Sequence, residues 1–257
     1  RIMKVAIVQA RLEWENVPLN LKLFNKRMSD INGVDIIVLP EMFSSGFTMT
    51  GKDQVAPFHE AVYRCMQDWA DEKDALVMGS TIYFEDGHYF NRLLTAFPGG
   101  KVLHYDKRHR FTMGHEDEHF TAGHELLVFE YKGMKIAPFI CYDLRFPVWS
   151  RNTSGYDLAV YVANWPEARR EPWQILLKAR AVENQCYVVG VNCVGEDGNG
   201  LQYSGDSMVI SPRGEVLVAC EPYADEVQVA DVDLGALEGF REKFPVLEDR
   251  DEFTIDE

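Results

Sequence analysis

Short apolar runs recur along the chain: MKVAIVQ, VDIIVLP, ALVMGSTIY, YFNRLLTAF, KVLHYD, MKIAPFI, DLAVYVAN, CYVVGVNCV, DSMVISP, GEVLVAC and EVQVADVD. They are rich in Val, Ile and Tyr and bounded by Gly, Pro, Asp or Asn, which is how β-strands and their turns read. IIVL and IAPFI offer no polar face, as expected for strands covered on both sides. Between the runs the period lengthens. Residues 18–31 place Leu21, Phe24 and Met28 at helical spacing, with Gly33 beyond as a stop. Residues 58–72 and 172–184 also read as helices, the latter with Pro172 in its first turn. Strand and helix alternate early and late. The middle runs strand to strand, with hairpin turns at Gly87 and Gly99-Gly100. That order predicts a layered α/β protein, two sheets packed together with helices outside. A TIM barrel suits the length but not the hairpin-like middle.

The 257 residues hold no internal repeat, low-complexity tract or Pro/Gly/Ser linker, so the chain reads as one domain over 1–257. It ends in an acidic tail from about residue 247, LEDRDEFTIDE. Hydrophobic residues at 46% and charged residues at 26% are values of a soluble globular protein, large enough to need no disulfide or metal staple. The 26 Lys+Arg against 41 Asp+Glu give a formal net charge of −15. That balance argues against nucleic acid and against an anionic membrane as partners. An anionic small substrate would need a local cationic site. No run approaches the ~18 apolar residues of a membrane span, and RIMKVAIVQA enters a strand without a signal-peptide pattern. The five cysteines, Cys65, Cys141, Cys186, Cys193 and Cys220, are scattered and form no C-x-x-C. They predict free thiols in a reducing cytoplasm.

The most informative pattern is positional. Glu41 follows VDIIVLP, Lys107 follows VLHYD and Cys141 follows MKIAPFI, each a reactive side chain where an apolar strand stops. Ligands of layered α/β proteins gather at the carboxyl ends of strands. A thiol, a carboxylate and an ammonium converging there would make a nucleophilic site. The thiolate attacks, the carboxylate takes the proton, and the ammonium stabilises the negative charge. Taken singly, each residue has a bland reading: a small core residue, a turn carboxylate, a solvated lysine. Spacing alone makes the trio a candidate and no more.

LPEMFSSGF, YDKRHRF and ICYDLRFPVW resemble the three signature segments of the nitrilase superfamily of carbon–nitrogen hydrolases. VAIVQ, FTAGHE (with Ala122 where Pro is common), DLAVYVANWP, WQILLKARAVENQCYVVGVN and GDSMVISPRGEVL extend the resemblance along almost the whole chain. It implies a four-layer α-β-β-α sandwich. It also implies Cys141 as nucleophile, Glu41 as general base and Lys107 as electrostatic stabiliser, with the Tyr142 backbone N–H joining Lys107 in the oxyanion hole. A second glutamate of the family lies seven residues before Gly123, at Glu116, with Glu118 the alternative. CYDLRFPVWSRN, YVANWP and the later GEDGNG are most similar to bacterial omega-amidases. The activity implied is hydrolysis of the terminal amide of 2-oxoglutaramate or 2-oxosuccinamate through a thioester, with no metal or organic cofactor and a homodimer as the smallest assembly. An amidase or carbamoylase acting on another small substrate is the second reading.

Other constellations weigh less. His115-Glu116-Asp117-Glu118-His119 satisfies H-E-x-x-H, but Gly114 and Gly123 flank it and no apolar stripe runs through it, so a zinc-binding helix is not expected. GEDGNG lacks a following G-K-[ST] and reads as a turn, and Arg180 with Glu183 reads as a helical ion pair. Arg145, four residues past the thiol, is a candidate for a substrate carboxylate or an ion pair with Asp143. Phe43, Phe47 and Trp165 are candidate pocket walls, with core packing the competing explanation.

Overall fold

The computed structural model describes residues 1–256. Its strands are β1 (Ile2–Gln9), β2 (Ile36–Val38), β3 (Leu76–Glu85), β4 (His88–Ala96), β5 (Val102–Asp106), β6 (Phe129–Tyr131), β7 (Met134–Ile140), β8 (Leu158–Ala163), β9 (Tyr187–Asn192), β10 (Val194–Glu196), β11 (Gln202–Ser204), β12 (Met208–Ile210), β13 (Val216–Ala219) and β14 (Glu226–Asp233). The helices are α1 (Val17–Met28), α2 (Lys52–Val55), α3 (His59–Lys73), α4 (Glu116–His119), α5 (Pro147–Ser150), α6 (Arg170–Asn184) and α7 (Leu234–Lys243).

Two six-stranded sheets have the orders β14-β1-β2-β3-β4-β5 and β13-β12-β9-β8-β7-β6. The centre of each is parallel (β1-β2-β3 and β7-β8-β9), and the flanking strands join antiparallel, so both sheets are mixed. The all-apolar runs explain why the sheets are layered. Val5 and Ile7 of β1, like Ile36 and Val38 of β2, enter the core that also holds Ile136 and Tyr161 of the second sheet. The alternate residues Ala6, Val8, Ile37 and Leu39 enter a separate core with Phe24 and Met28 of α1 and Met66 and Trp69 of α3. Period-two alternation thus gives each strand one face toward the other sheet and one toward helices. On the far side, α6 packs Trp173, Leu177 and Ala181 against the second sheet. A Cβ at Gly190 of β9 would meet Leu177 Cδ1 at 2.5 Å and Trp173 Cζ2 at 2.9 Å, so only glycine lets this helix lie so close. The outcome is an α/β sandwich with helices outside two sheets.

The expected hairpins form at the expected glycines. Asp86 and Gly87 both take positive φ, 50° and 81°, as a two-residue turn between twisted strands requires. The first helix ends earlier than Gly33. It stops at Met28, where the Ser29 hydroxyl donates to the Lys26 carbonyl at 2.6 Å and the chain turns Ile31 and Val34 into the core. The acidic end has a single 3₁₀ turn at Val246–Asp249, after which residues 250–256 are exposed and without regular structure. Strand order brings the carboxyl ends of β2, β5, β7 and β8 together, and Glu41, Lys107, Cys141 and Asn164 stand just past them.

Candidate active site

Cys141 opens a 3₁₀ turn, Cys141–Arg145, directly after β7, and it holds φ at +45°. A non-glycine residue in the left-handed region costs about 1–3 kcal/mol, so the surroundings must impose it. Asp143, fully buried, does much of this. Its Oδ2 accepts from the Ile140 N–H at 3.0 Å and the Tyr105 hydroxyl at 2.7 Å. Its Oδ1 accepts from the His109 N–H at 3.0 Å and lies 2.8 Å from His109 Nδ1. Arg180 of α6 donates to the Leu144 carbonyl at 2.6 Å while pairing with Glu183 at 2.9 Å. The predicted helical ion pair therefore also braces the thiol's turn. An ion pair between Asp143 and Arg145 does not form, because Asp143 spends both oxygens on this clamp.

Glu41 and Lys107 are as buried as core residues, at 0% and 1% exposed. Lys107 Nζ donates to Glu41 Oε1 at 2.9 Å and to Glu116 Oε2 at 2.8 Å. Glu116 also accepts the Phe111 N–H at 2.7 Å and is fully buried, whereas Glu118 is 63% exposed and faces His115. The second carboxylate beside the lysine is thus Glu116. The same geometry removes the premise of H-E-x-x-H: the helix is a single turn, its glutamate is bonded to Lys107, and His115 sits outside it with φ at +61°. Burial alone would lower the Lys107 ammonium, but the Glu116 and Glu41 carboxylates outweigh it and hold the group above its ordinary value. Burial pushes the Glu116 carboxyl up against the pull of Lys107. Burial likewise pushes the Cys141 thiol well up, Glu41 pushes it further, and Lys107 pulls it back.

Two asparagines that the sequence reading passed over complete the cluster. Asn91 of β4 donates to Glu41 Oε1 at 2.8 Å and to Glu116 Oε1 at 3.2 Å, so it bridges both carboxylates. The Ser80 hydroxyl donates in turn to Asn91 Oδ1 at 2.8 Å. Asn164 gives its backbone N–H to Glu41 Oε2 at 2.8 Å and its side-chain amide to the Glu41 carbonyl, and its own carbonyl lies 3.8 Å from the Cys141 sulfur. The available signal was an asparagine inside or at the end of an otherwise apolar strand, in YFNRLL (beside Arg92) and VYVANWP. Such residues are buried only when bonded.

Above the cluster lies a cavity of about 110 Å³, lined by Lys107, Cys141, Tyr142, Arg145, Phe47 and Trp165 among others. Lys107 Nζ is 5.3 Å from the centre of the Phe47 ring, and Arg145 lies over Trp165 at 5.1 Å. Phe43 is a correction. It packs in the helix-side core, 5.1 Å from Phe24 and 6.2 Å from Trp69 by ring centres, because residue 43 turns back under β3 and away from the cavity. Phe111, Arg169 and Tyr203 line the cavity but were not anticipated. The GEDGNG segment ends β10 and makes the expected turn into β11, yet it also supplies Asp197 and Asn199 to the cavity wall.

The arrangement joins a thiol, two carboxylates and an ammonium under a small, mostly apolar cavity. The carbon-nitrogen hydrolase family model matches residues 4–242. The omega-amidase YafV of Escherichia coli (strain K12) is 46% identical over 253 residues, which are 98% of this chain and 98% of that protein. The 2-oxoglutaramate amidase of Bacillus subtilis (strain 168) is 34% identical over 224 residues, 84% of each chain. A CN-hydrolase superfamily protein of Xanthomonas campestris, solved with an arsenic adduct in its active site, superposes with a TM-score of 0.97 at 37% identity, covering 100% of both chains. With nearly its whole length matched in sequence and in fold, the chain belongs to the carbon–nitrogen hydrolase family.

Proposed function

We propose that the protein is an omega-amidase, hydrolysing the terminal amide of short 2-oxo acids such as 2-oxoglutaramate and 2-oxosuccinamate. The observation that carries this is Cys141 beside the Glu41–Lys107–Glu116 cluster, under a cavity small enough for a short amide and containing Arg145 without a carboxylate partner among the described residues. Likeness to the omega-amidase and 2-oxoglutaramate amidase named above supports the substrate class.

In this reading Glu41 takes the thiol proton and the sulfur bonds to the amide carbon. The carbonyl electron pair moves onto oxygen. A lysine ammonium has three donors, and Lys107 spends two on Glu41 and Glu116. The third, with the Tyr142 backbone N–H, meets the oxyanion. The intermediate collapses, the carbon–nitrogen bond breaks, and nitrogen leaves as ammonia with the proton from Glu41. Water then gives a proton to Glu41 and attacks the thioester. Carbon–sulfur cleavage releases the acid, and the sulfur regains its proton. Glu116 holds Lys107 in place, and Phe47 and Trp165 wall the site. Every proton and electron pair moves between these side chains, the substrate and water. The reading places the enzyme in the cytoplasm as a homodimer.

The test is kcat/KM across 2-oxoglutaramate, 2-oxosuccinamate, glutamine, asparagine, an N-carbamoyl amino acid and a simple nitrile. The 2-oxo acid amides should lead by at least tenfold. A lead for the carbamoyl compound or the nitrile would overturn the assignment.

A further inference from the structure

Arg145 is not the only arginine at the cavity. Arg169 lines the same space, at the end of the 3₁₀ turn Glu167–Arg169 that precedes α6. Its guanidinium lies over the Phe111 ring at 5.3 Å, as that of Arg145 lies over Trp165 at 5.1 Å. Trp165 ties the two positions together, since its indole N–H donates to the Arg169 carbonyl at 2.7 Å while its face carries Arg145.

Among the described residues neither guanidinium has a hydrogen bond or an ion pair, although the chain holds 41 acidic residues. Other arginines of the same region are paired. Arg170, the next residue, meets Asp206 at 2.7 Å, and Arg180 meets Glu183 at 2.9 Å. The acid on the cavity wall is Asp197. Its oxygens already accept from the Tyr203 hydroxyl at 2.8 Å and from the Asn199 and Leu201 N–H groups at 2.8 and 3.0 Å. Two planar cations with free N–H donors therefore face one small, mostly apolar space that also admits the thiol. An arginine presents parallel donors matched to a carboxylate, and stacking on an aromatic ring fixes the plane of that fork.

We propose that Arg169 is a specificity-determining residue that forms, with Arg145, a two-arginine clamp on the substrate's carboxylate and its adjacent 2-oxo oxygen. This rests on the reading that the substrate carries a carboxylate at the end remote from the amide. The clamp supplies the local positive charge that a protein of net charge −15 must have to hold an anion. It selects the 2-oxo acid over the amino acid, because the ammonium of glutamine would stand beside two guanidiniums.

The experiment measures kcat/KM for 2-oxoglutaramate, glutaramate and pentanamide, which share a chain length and differ in the 2-oxo group and the carboxylate. It is run on the parent, Arg169→Met, Arg169→Lys and the surface control Arg213→Met. The parent should prefer 2-oxoglutaramate to pentanamide by more than a hundredfold. Arg169→Met should cut that ratio at least tenfold, mainly through KM. Arg169→Lys, which keeps charge but not the planar fork, should fall between, and Arg213→Met should keep the parent ratio. An Arg169→Met ratio within twofold of the parent overturns the clamp and leaves the omega-amidase reading standing. Equal losses on both substrates also overturn it, since they mark a structural role. A parent that prefers pentanamide fails at the earlier step and removes both. Should Arg169→Met not fold, Arg169→Lys decides alone: a ratio unchanged from the parent overturns the inference.

Discussion

In the proposed mechanism the Cys141 thiol begins each turnover protonated. Burial and the Glu41 carboxylate push it well above its ordinary value, and Lys107 only partly offsets them. Nucleophilicity is therefore not stored as a resting thiolate. In that mechanism it appears when substrate arrives and Glu41 takes the proton. In the free enzyme, alkylation of Cys141 by iodoacetamide should keep accelerating as pH rises through 9, the ordinary thiol value, because the thiolate fraction is still small there. A rate that levels off below pH 7 would show a preformed thiolate and contradict this account. The residues of the cluster differ in how legible they were. Glu41, Lys107 and Cys141 stood out because each breaks an apolar run. Asn91 and Asn164 break runs too, but an amide has no reactivity of its own, and its value depends on partners 50 and 123 positions away in sequence. Phe43 and Phe47 look alike as letters. Only the fold decides that one faces α1 and the other the cavity.

Elements hold these residues by close approaches of backbone. Gly123 donates its N–H to the Lys107 carbonyl at 2.9 Å, and a Cβ there would overlap the Asp106 carbonyl oxygen. The glycine of FTAGHE is thus what lets this segment lie against the end of β5 and fix Lys107. Gly123→Ala should destabilise the fold by about 1–3 kcal/mol, the usual cost of overpacking a tight site. It should also lower kcat at least tenfold by moving the ammonium. Urea unfolding and steady-state kinetics on the same sample check both, and a variant with parental stability and kcat would remove Gly123 from the argument. At this scale the strands read well, because β-branched runs bounded by turn residues are a local signal. The dual role of GEDGNG did not read. Its turn chemistry is local, but its place on the cavity wall follows from the bridge between Arg11 and Val194 and from the packing of Gly198 against Trp14, both set by the first strand's path.

Across the whole molecule, charge and site pull in opposite directions. A net charge of −15 repels an anionic amide at long range, while Arg145 and Arg169 attract it at the cavity. Raising the ionic strength from about 0.01 M to about 0.15 M shortens the Debye length from ~30 to ~8 Å and screens the long-range term more than the close one. kcat/KM for 2-oxoglutaramate should therefore rise about twofold, and that for neutral pentanamide should stay constant. A steep fall with salt would show that the field at the cavity mouth is already attractive. Composition gave the sign of that field, but only the fold revealed a second arginine beside the first. The central claim is that Cys141 carries the acyl group, and the most direct measurement is the mass of the protein caught in turnover. After acid quench during hydrolysis of 2-oxoglutaramate, the peptide containing Cys141 should be heavier by one acyl group in the parent and in Cys186→Ala. Cys141→Ala should fold, carry no adduct and show no turnover. An acyl group found on another residue, or substantial turnover by folded Cys141→Ala, would contradict the account.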